Sequence, residues 1–91
     1  MVEMTAEIKN AHGIHCRPSA LIIKEALKYS GEITVIGGNG EAKLASIMDL
    51  MALELFAGTK IKIQVCGENE ARVCREMVEL FETHFDFPSD A

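Results

Sequence analysis

A histidine and an arginine lie two residues apart in the stretch 13–18, which reads GIHCRP. Pro18 indicates that a helix opens here, because proline is favoured at the first helical position, where its missing N–H has no intrahelical partner. His15 and Arg17 would then lie at the helix N-terminus, where free N–H groups and the helix dipole attract anions. A neutral imidazole is nucleophilic near physiological pH, and a guanidinium donates paired hydrogen bonds to phosphate oxygens. The pattern therefore predicts a site that receives or carries a phosphoryl group.

Simpler structural roles remain open for the residues of this stretch. His15 also fits a polar loop residue or a helix cap, the usual role of a lone histidine near a helix start. Cys16 fits a small residue that fills a small site, although a helix N-terminus beside Arg17 would lower its thiol pKa and make it sensitive to oxidation. Together with Pro18, Cys16 is expected to support the helix N-terminus. His12 is expected to be a surface residue.

The composition predicts one folded domain. The 91 residues are 48% hydrophobic and 25% charged, as in ordinary globular proteins, and they suffice for one hydrophobic core. We expect a single domain over residues 1–91, with 86–91 as a flexible tail. A net charge of −5 and the lack of a basic run argue against nucleic acid as a partner.

The start of the chain and its cysteines indicate where the protein works. The sequence opens without a signal-peptide pattern and contains no apolar stretch long enough to span a bilayer, so we expect a cytoplasmic protein that does not insert into membranes. The three cysteines are expected to be reduced thiols, with Cys66 and Cys74 as core or near-core fillers. No His/Cys cluster has ligand spacing, so we expect neither a metal nor a cofactor.

Hydrophobic periodicity predicts the element order β-α-β-β-α-β-α. The predicted strands lie at about residues 2–8, 32–36, 41–44 and 60–66. The predicted helices lie at about residues 17–29, 46–56 and 70–84. The glycine-rich stretch 37–40 is expected to form a hairpin tip. Because the strands are amphipathic, one face of the sheet should carry the helices and the other should face water, which is an antiparallel α+β fold.

Ser46 opens a second motif. Ser46 and Asp49 resemble a capping box, in which the serine oxygen accepts a hydrogen bond from the first helical turn. The helix that follows is apolar nearly all round, more than one core-facing stripe requires. We expect Ile47, Met48 and Met51 to form an exposed patch that docks partners, because methionine adapts to several partner surfaces. Core packing of these three residues is the alternative.

The two motifs and the element order resemble the HPr family, the histidine-containing phosphocarrier proteins of the bacterial phosphoenolpyruvate:sugar phosphotransferase system. The matching residues extend over nearly the whole chain: Gly13, Ile14, His15, Arg17, Pro18, Ser46, Ile47, Met48, Leu50, Met51, Leu53, Gly58 and Gly67. The resemblance implies an HPr-like open-faced β-sandwich, in which three helices lie over one face of a four-stranded antiparallel sheet. It also implies a carrier that forms a phosphohistidine intermediate, and not an enzyme.

The resemblance implies roles for individual residues as well. His15 would accept a phosphoryl group on Nδ1 from phosphorylated enzyme I, which takes it from phosphoenolpyruvate, and would donate it to an enzyme II A component. The family residue that matches Arg17 contacts the phosphoryl group. The residue that matches Ser46 is phosphorylated in many members by a regulatory kinase. The implied partners are enzyme I, enzyme II A components, an HPr serine kinase/phosphorylase and a transcription regulator, and the chain would act as a monomer.

The sequence departs from the family pattern around Ser46. Ala45 replaces a common lysine, Asp49 replaces a glycine or lysine, and Glu54 replaces a common glycine. Asp49 would repel a phosphate on Ser46. Two further functions stay open: a nitrogen-type or kinase-linked regulatory protein that acts mainly by binding partners, and a small-ligand module in which the His-Arg pair captures an anion.

Overall fold

The computed structural model describes residues 1–10, 13–14 and 16–83, with only the backbone of Cys16. Outside this part of the chain lie Ala11, His12, His15 and residues 84–91. The predicted tail over 86–91 therefore falls outside the described residues. The elements are β1 (Val2–Glu7), α1 (Cys16–Ala26), β2 (Glu32–Gly37), β3 (Gly40–Lys43), α2 (Ile47–Met51), β4 (Lys60–Cys66) and α3 (Glu70–Phe81). Their order is the predicted one.

The four strands form one antiparallel sheet in the order β1-β4-β2-β3. β4 lies inside the sheet, where Ile63 pairs with Met4 on one side and with Val35 on the other. Ile63 is fully buried, whereas its neighbour Lys62 is exposed, as the two-residue period of a strand requires. One face of the sheet is thus covered and the other faces solvent, which confirms the open-faced α+β architecture.

The hydrophobic core lies between the sheet and the helices. α3 packs against β1 and β4, and α1 contacts both α2 and α3. The largest fully buried apolar side chains come from every layer: Ile8, Ile22, Val35, Leu50, Leu55, Ile61, Ile63, Val65, Cys74 and Phe81. Removing such apolar surface from water contributes about 25 cal/mol per Å². The same core therefore holds α1 beside α2, the two helices that carry the two motifs.

α1 starts and ends earlier than the sequence predicts. Pro18 is its third residue and not its first, which proline tolerates because none of the N–H groups in the first turn has an intrahelical acceptor. The regular helix ends at Ala26, ahead of the predicted end near Tyr29. The N–H groups of Lys28 and Tyr29 donate to the carbonyls of Glu25 and Ala26, at 3.2 and 3.1 Å. After the regular helix the chain therefore continues in a 3₁₀-type turn, whose hydrogen bonds join residues three positions apart.

α2 is five residues long and ends at Met51, so its predicted extension to about residue 56 is wrong. The N–H groups of Leu53 and Glu54 donate to carbonyls three residues back, and Glu54 then adopts a φ of 54°. Leu53 and Leu55 are buried on either side of the exposed Glu54. Burial of these leucines and their hydrogen bonds to other loops outweigh the local helical pattern.

α3 contains 12 residues and ends at Phe81, with Glu82 as its C-cap, so the predicted end near residue 84 is late. The side chains that it buries are Val73, Cys74, Met77 and Phe81. Within residues 1–10, 13–14 and 16–83, no helix is long and apolar enough to cross a membrane.

Candidate functional site

α1 begins at Cys16, the residue that directly follows His15 in the sequence. Its first turn contains no acidic residue, so no carboxylate of that turn competes for the positive end of the helix dipole. Arg17 is exposed in this turn, while Pro18 is buried. A helix N-terminus with an exposed arginine therefore follows the predicted phosphoacceptor directly.

Hydrogen bonds hold the backbone that leads to this helix. The Gly13 N–H donates to the Asn10 carbonyl at 2.9 Å, and Nδ2 of the buried Asn10 donates to the Gly13 carbonyl at 2.6 Å. The Ile14 N–H donates to the Leu55 carbonyl at 2.8 Å, and the Ile14 side chain is buried. The two residues directly before His15 are thus fixed to the body of the protein.

Gly13 lies where a side chain would not fit. Its φ is 72°, in the left-handed region that favours glycine. A Cβ at this position would lie 2.5 Å from the Leu55 carbonyl oxygen and 3.1 Å from the Phe56 Cα. The loop before His15 therefore packs backbone against backbone on residues 55–56.

His15 and His12 lie outside the described residues, and so does the side chain of Cys16. The predicted roles of all three stay predictions. What the structure describes is the chain on either side of His15, from the anchored Ile14 to the first helical residue.

Ser46 caps α2. Its backbone is extended, with a φ of −144°, and its Oγ accepts a hydrogen bond from the Asp49 N–H at 3.5 Å. This distance is at the long limit for such a bond, so the cap is weak. Ser46 is half-buried, whereas Ala45 and Asp49 are exposed. The structural role of Ser46 is thus observed, and its phosphorylation stays a prediction.

The α2 apolar patch, defined as Ile47, Met48 and Met51, is accessible to solvent. The exposed fractions of these residues are 37%, 79% and 39%, whereas Leu50 in the same helix is fully buried. One leucine therefore anchors this short helix, and the alternative of core packing for the other three is wrong. Their contact with a partner stays a prediction.

Phe56 is a further exposed apolar residue, and it lies beside the loop that leads to His15. The sequence pattern did not single it out. Its exposed fraction is 65%, and its Cα lies against Gly13. The helical pattern extended through Phe56 and concealed it. The signal that could have revealed it is the alternation of Leu53 and Leu55 with the charged Glu54, which is typical of extended chain.

The two cysteines whose side chains are described differ in exposure. Cys74 is buried, its Sγ lies 3.3 Å from the Ile63 carbonyl oxygen, and burial raises its pKa. Cys66 is exposed at the end of β4, so the prediction that it fills a core or near-core position is wrong. The strand alternation buries Val65 and turns Cys66 outward. In the described part of the chain, no group of three or more His, Cys, Asp or Glu side chains is placed to hold a metal ion.

Comparison with known proteins identifies relatives along most of the chain. A family model described as PTS HPr component phosphorylation site matches residues 2–83. The phosphocarrier protein HPr of Mycoplasma capricolum is 39% identical over 69 residues, which cover 76% of this chain and 78% of that protein. HPr of Borreliella burgdorferi is 37% identical over 83 residues, which cover 91% of this chain and 96% of that protein.

A solved structure agrees with these relatives. The crystal structure of HPr-C-His from Thermoanaerobacter tengcongensis matches with a TM-score of 0.81 and 37% identity, over 89% of this chain and 91% of that chain. The four-stranded sheet with three helices described above accords with this likeness in overall fold. The chain therefore belongs to the HPr family of phosphocarrier proteins of the phosphotransferase system.

Proposed function

We propose that this chain carries a phosphoryl group on His15, which it accepts from phosphorylated enzyme I and donates to an enzyme II A component. The bond between Nδ1 and phosphorus forms as the bond from phosphorus to the donor breaks, and it breaks in turn when the acceptor attacks. The chain is thus a shuttled substrate and not an enzyme. The observation that carries the proposal is the anchored Ile14 directly before His15, with a helix N-terminus directly after it.

Arg17 and the amides of the first turn are the proposed contacts of the phosphoryl group. The exposed guanidinium of Arg17 offers two donors to phosphate oxygens. Pro18 has no N–H, so Cys16 and Arg17 supply the first backbone donors of the helix. An exposed anion at a helix N-terminus gains only about 0.3–1 kcal/mol from the dipole. Such weak stabilisation suits a group that must be released to the next acceptor.

The α2 apolar patch is the proposed docking surface for enzyme I and for the enzyme II A component. α2 packs against α1, the helix that begins after His15. The exposed Met48 and Met51 suit a surface that serves two partners in turn, because unbranched methionine side chains adapt to different shapes. We place this activity in the cytoplasm, in a monomeric single-domain carrier.

Labelling tests the proposal directly. Incubation with phosphoenolpyruvate and enzyme I of the same organism should give an acid-labile, alkali-stable phosphohistidine. His15→Ala should give none while keeping the circular dichroism spectrum of the wild type. Arg17→Ala should be labelled more slowly, because it loses the two guanidinium donors. A wild type that never labels would refute the proposal, and so would equal labelling of His15→Ala.

Regulation through Ser46 is the second candidate function, favoured by the position of Ser46 directly before the exposed Ile47 and Met48. A phosphate would add a charge of about −1.5 to −2 beside the α2 apolar patch. Asp49 in the same turn adds to this negative charge. We expect ATP and an HPr serine kinase to modify the wild type but not Ser46→Ala, and the modified protein to accept phosphoryl groups on His15 more slowly. Equal rates before and after modification would contradict this regulation.

A further inference from the structure

Glu54 adopts a backbone conformation that is unusual for its residue type. Its φ is 54°, in the left-handed region. Glycine adopts this region freely, and asparagine and aspartate do so more often than longer side chains. The preference of Glu54 itself does not favour this turn, so its contacts must hold it.

The tip of the β2–β3 hairpin supplies contacts on one side. Nδ2 of Asn39 donates to Oε2 of Glu54 at 2.6 Å, and the Asn39 N–H donates to the Leu53 carbonyl at 2.9 Å. Hydrogen bonds to an ionised carboxylate are stronger than neutral ones. The tip also lies very close to this segment, because a Cβ on Gly38 would clash with the Leu53 carbonyl oxygen. The hairpin tip therefore fixes the chain from Leu53 to Glu54.

The loop that leads to His15 contacts the other side of this segment. The Leu55 carbonyl accepts the Ile14 N–H at 2.8 Å and leaves no room for a Cβ on Gly13. Since Leu55 follows Glu54 directly, the backbone angles of Glu54, together with those of Leu55, set where this carbonyl points. A change at Glu54 is thus transmitted to Gly13 and Ile14 through closely packed backbone.

We propose that Glu54 is a positioning residue for phosphoryl transfer. Its hydrogen bond with Asn39 keeps the left-handed turn that aims the Leu55 carbonyl at the Ile14 N–H, directly before His15. This inference rests on the proposed carrier function. Glu54 acts through the Leu55 carbonyl, and glutamine in its place would keep the required acceptor oxygen.

Two measurements on the same variants test the proposal: hydrogen exchange at the Ile14 amide, and the maximal rate of transfer from phosphorylated enzyme I at saturating carrier. The Ile63 amide, in the central strand β4 between β1 and β2, is the reference for global opening. Glu54→Ala and Asn39→Ala should each speed Ile14 exchange relative to Ile63. Each should also lower the maximal rate roughly threefold to tenfold.

Matched variants separate hydrogen bonding from charge. Glu54→Gln should keep both the Ile14 protection and the maximal rate, because its amide oxygen still accepts from Asn39. Glu41→Ala removes another exposed carboxylate, from the hairpin, and should behave as the wild type. The double variant of Glu54→Ala with Asn39→Ala should be no slower than Asn39→Ala alone, because both changes remove the Asn39–Glu54 hydrogen bond and only Asn39→Ala also removes the longer bond from Nδ2 to the Ala52 carbonyl, at 3.5 Å.

Three results would overturn the positioning role. The first is an unchanged rate of Ile14 exchange in Glu54→Ala. The second is an equal decrease of the maximal rate in Glu54→Gln and Glu54→Ala. The third is a double variant in which the decreases of the two single variants add. A higher KM with an unchanged maximal rate would assign Glu54 to docking and would also overturn the positioning role. If the wild type is not labelled at all, the proposed function fails, while the exchange of Ile14 still decides whether Glu54 holds the loop.

Discussion

Gly13→Ala tests how tightly the loop before α1 is packed. An alanine that keeps the φ of 72° loses about 1–2 kcal/mol relative to glycine. Its methyl group would lie 2.5 Å from the Leu55 carbonyl oxygen, and relieving this contact by moving backbone adds about 1–3 kcal/mol. The free energy of unfolding should therefore fall by about 2–5 kcal/mol. The free energy of unfolding of a chain of this length is about 5–14 kcal/mol, and the middle of this range exceeds the largest expected loss, so the variant should still fold.

Gly58→Ala is the matched control for this substitution. Gly58 also has a left-handed backbone, with a φ of 87°, but beyond its chain neighbours no heavy atom of the described residues lies within 4 Å of where the methyl group would be. Only the conformational cost of about 1–2 kcal/mol should appear there. Urea unfolding of both variants gives the two free energies, and the labelling rate of His15 should fall for Gly13→Ala only. Equal destabilisation by the two substitutions would refute the close approach of Gly13 to Leu55.

Three further predictions concern the cap, the patch and the acid limb of stability. Ser46→Ala should lower the free energy of unfolding by only about 0.5–1 kcal/mol, because the capping bond is long, and Ser46→Asp should restore it in urea titrations. Met48→Ser should change stability by less than about 0.5 kcal/mol but raise KM for transfer from enzyme I; an unchanged KM would remove Met48 from the docking surface. Hydrogen bonds from the Gly67 N–H and from the N-terminal ammonium lower the pKa of Glu70 below its usual 4.5. The ionised Glu70 therefore stabilises the fold at pH values above 4.5, and this stabilisation is lost as the pH falls through the lowered pKa. Glu70→Gln should therefore show a smaller decrease of Tm over the same acid range.

Local patterns were sufficient to predict the strands but not the end of α2. Alternation of Ile61 and Ile63 with lysines predicts β4, because burial of one sheet face imposes a period of two that is visible locally. Residues 53–56 continue a helical pattern, yet Asn39 and Ile14 donate to carbonyls in this segment and draw it out of the helix. Those donors lie on loops distant in sequence, and no local pattern encodes them.

Some features of the candidate site could likewise be predicted from local sequence, and others could not. The residue types of His15, Arg17 and Pro18 predict a helix N-terminus for an anion, and their spacing with Ser46 indicates the family that the comparisons confirm. The anchor of Ile14 and the left-handed Glu54 arise only when the loops meet in the folded chain. Tertiary packing therefore determines how the loop before His15 is held, while the sequence indicates which chemistry it serves.

The most direct test of the carrier function is to identify the phosphorylated atom. After incubation of the histidine ¹⁵N-labelled chain with phosphoenolpyruvate and enzyme I, phosphorus coupling in the NMR spectrum should appear at Nδ1 of His15. After phosphoenolpyruvate and enzyme I are removed, the coupling should disappear when an excess of an enzyme II A component is added, because the phosphoryl group is transferred to that component. A chain that stays unlabelled, or that carries the phosphoryl group on a residue other than His15, would contradict the account.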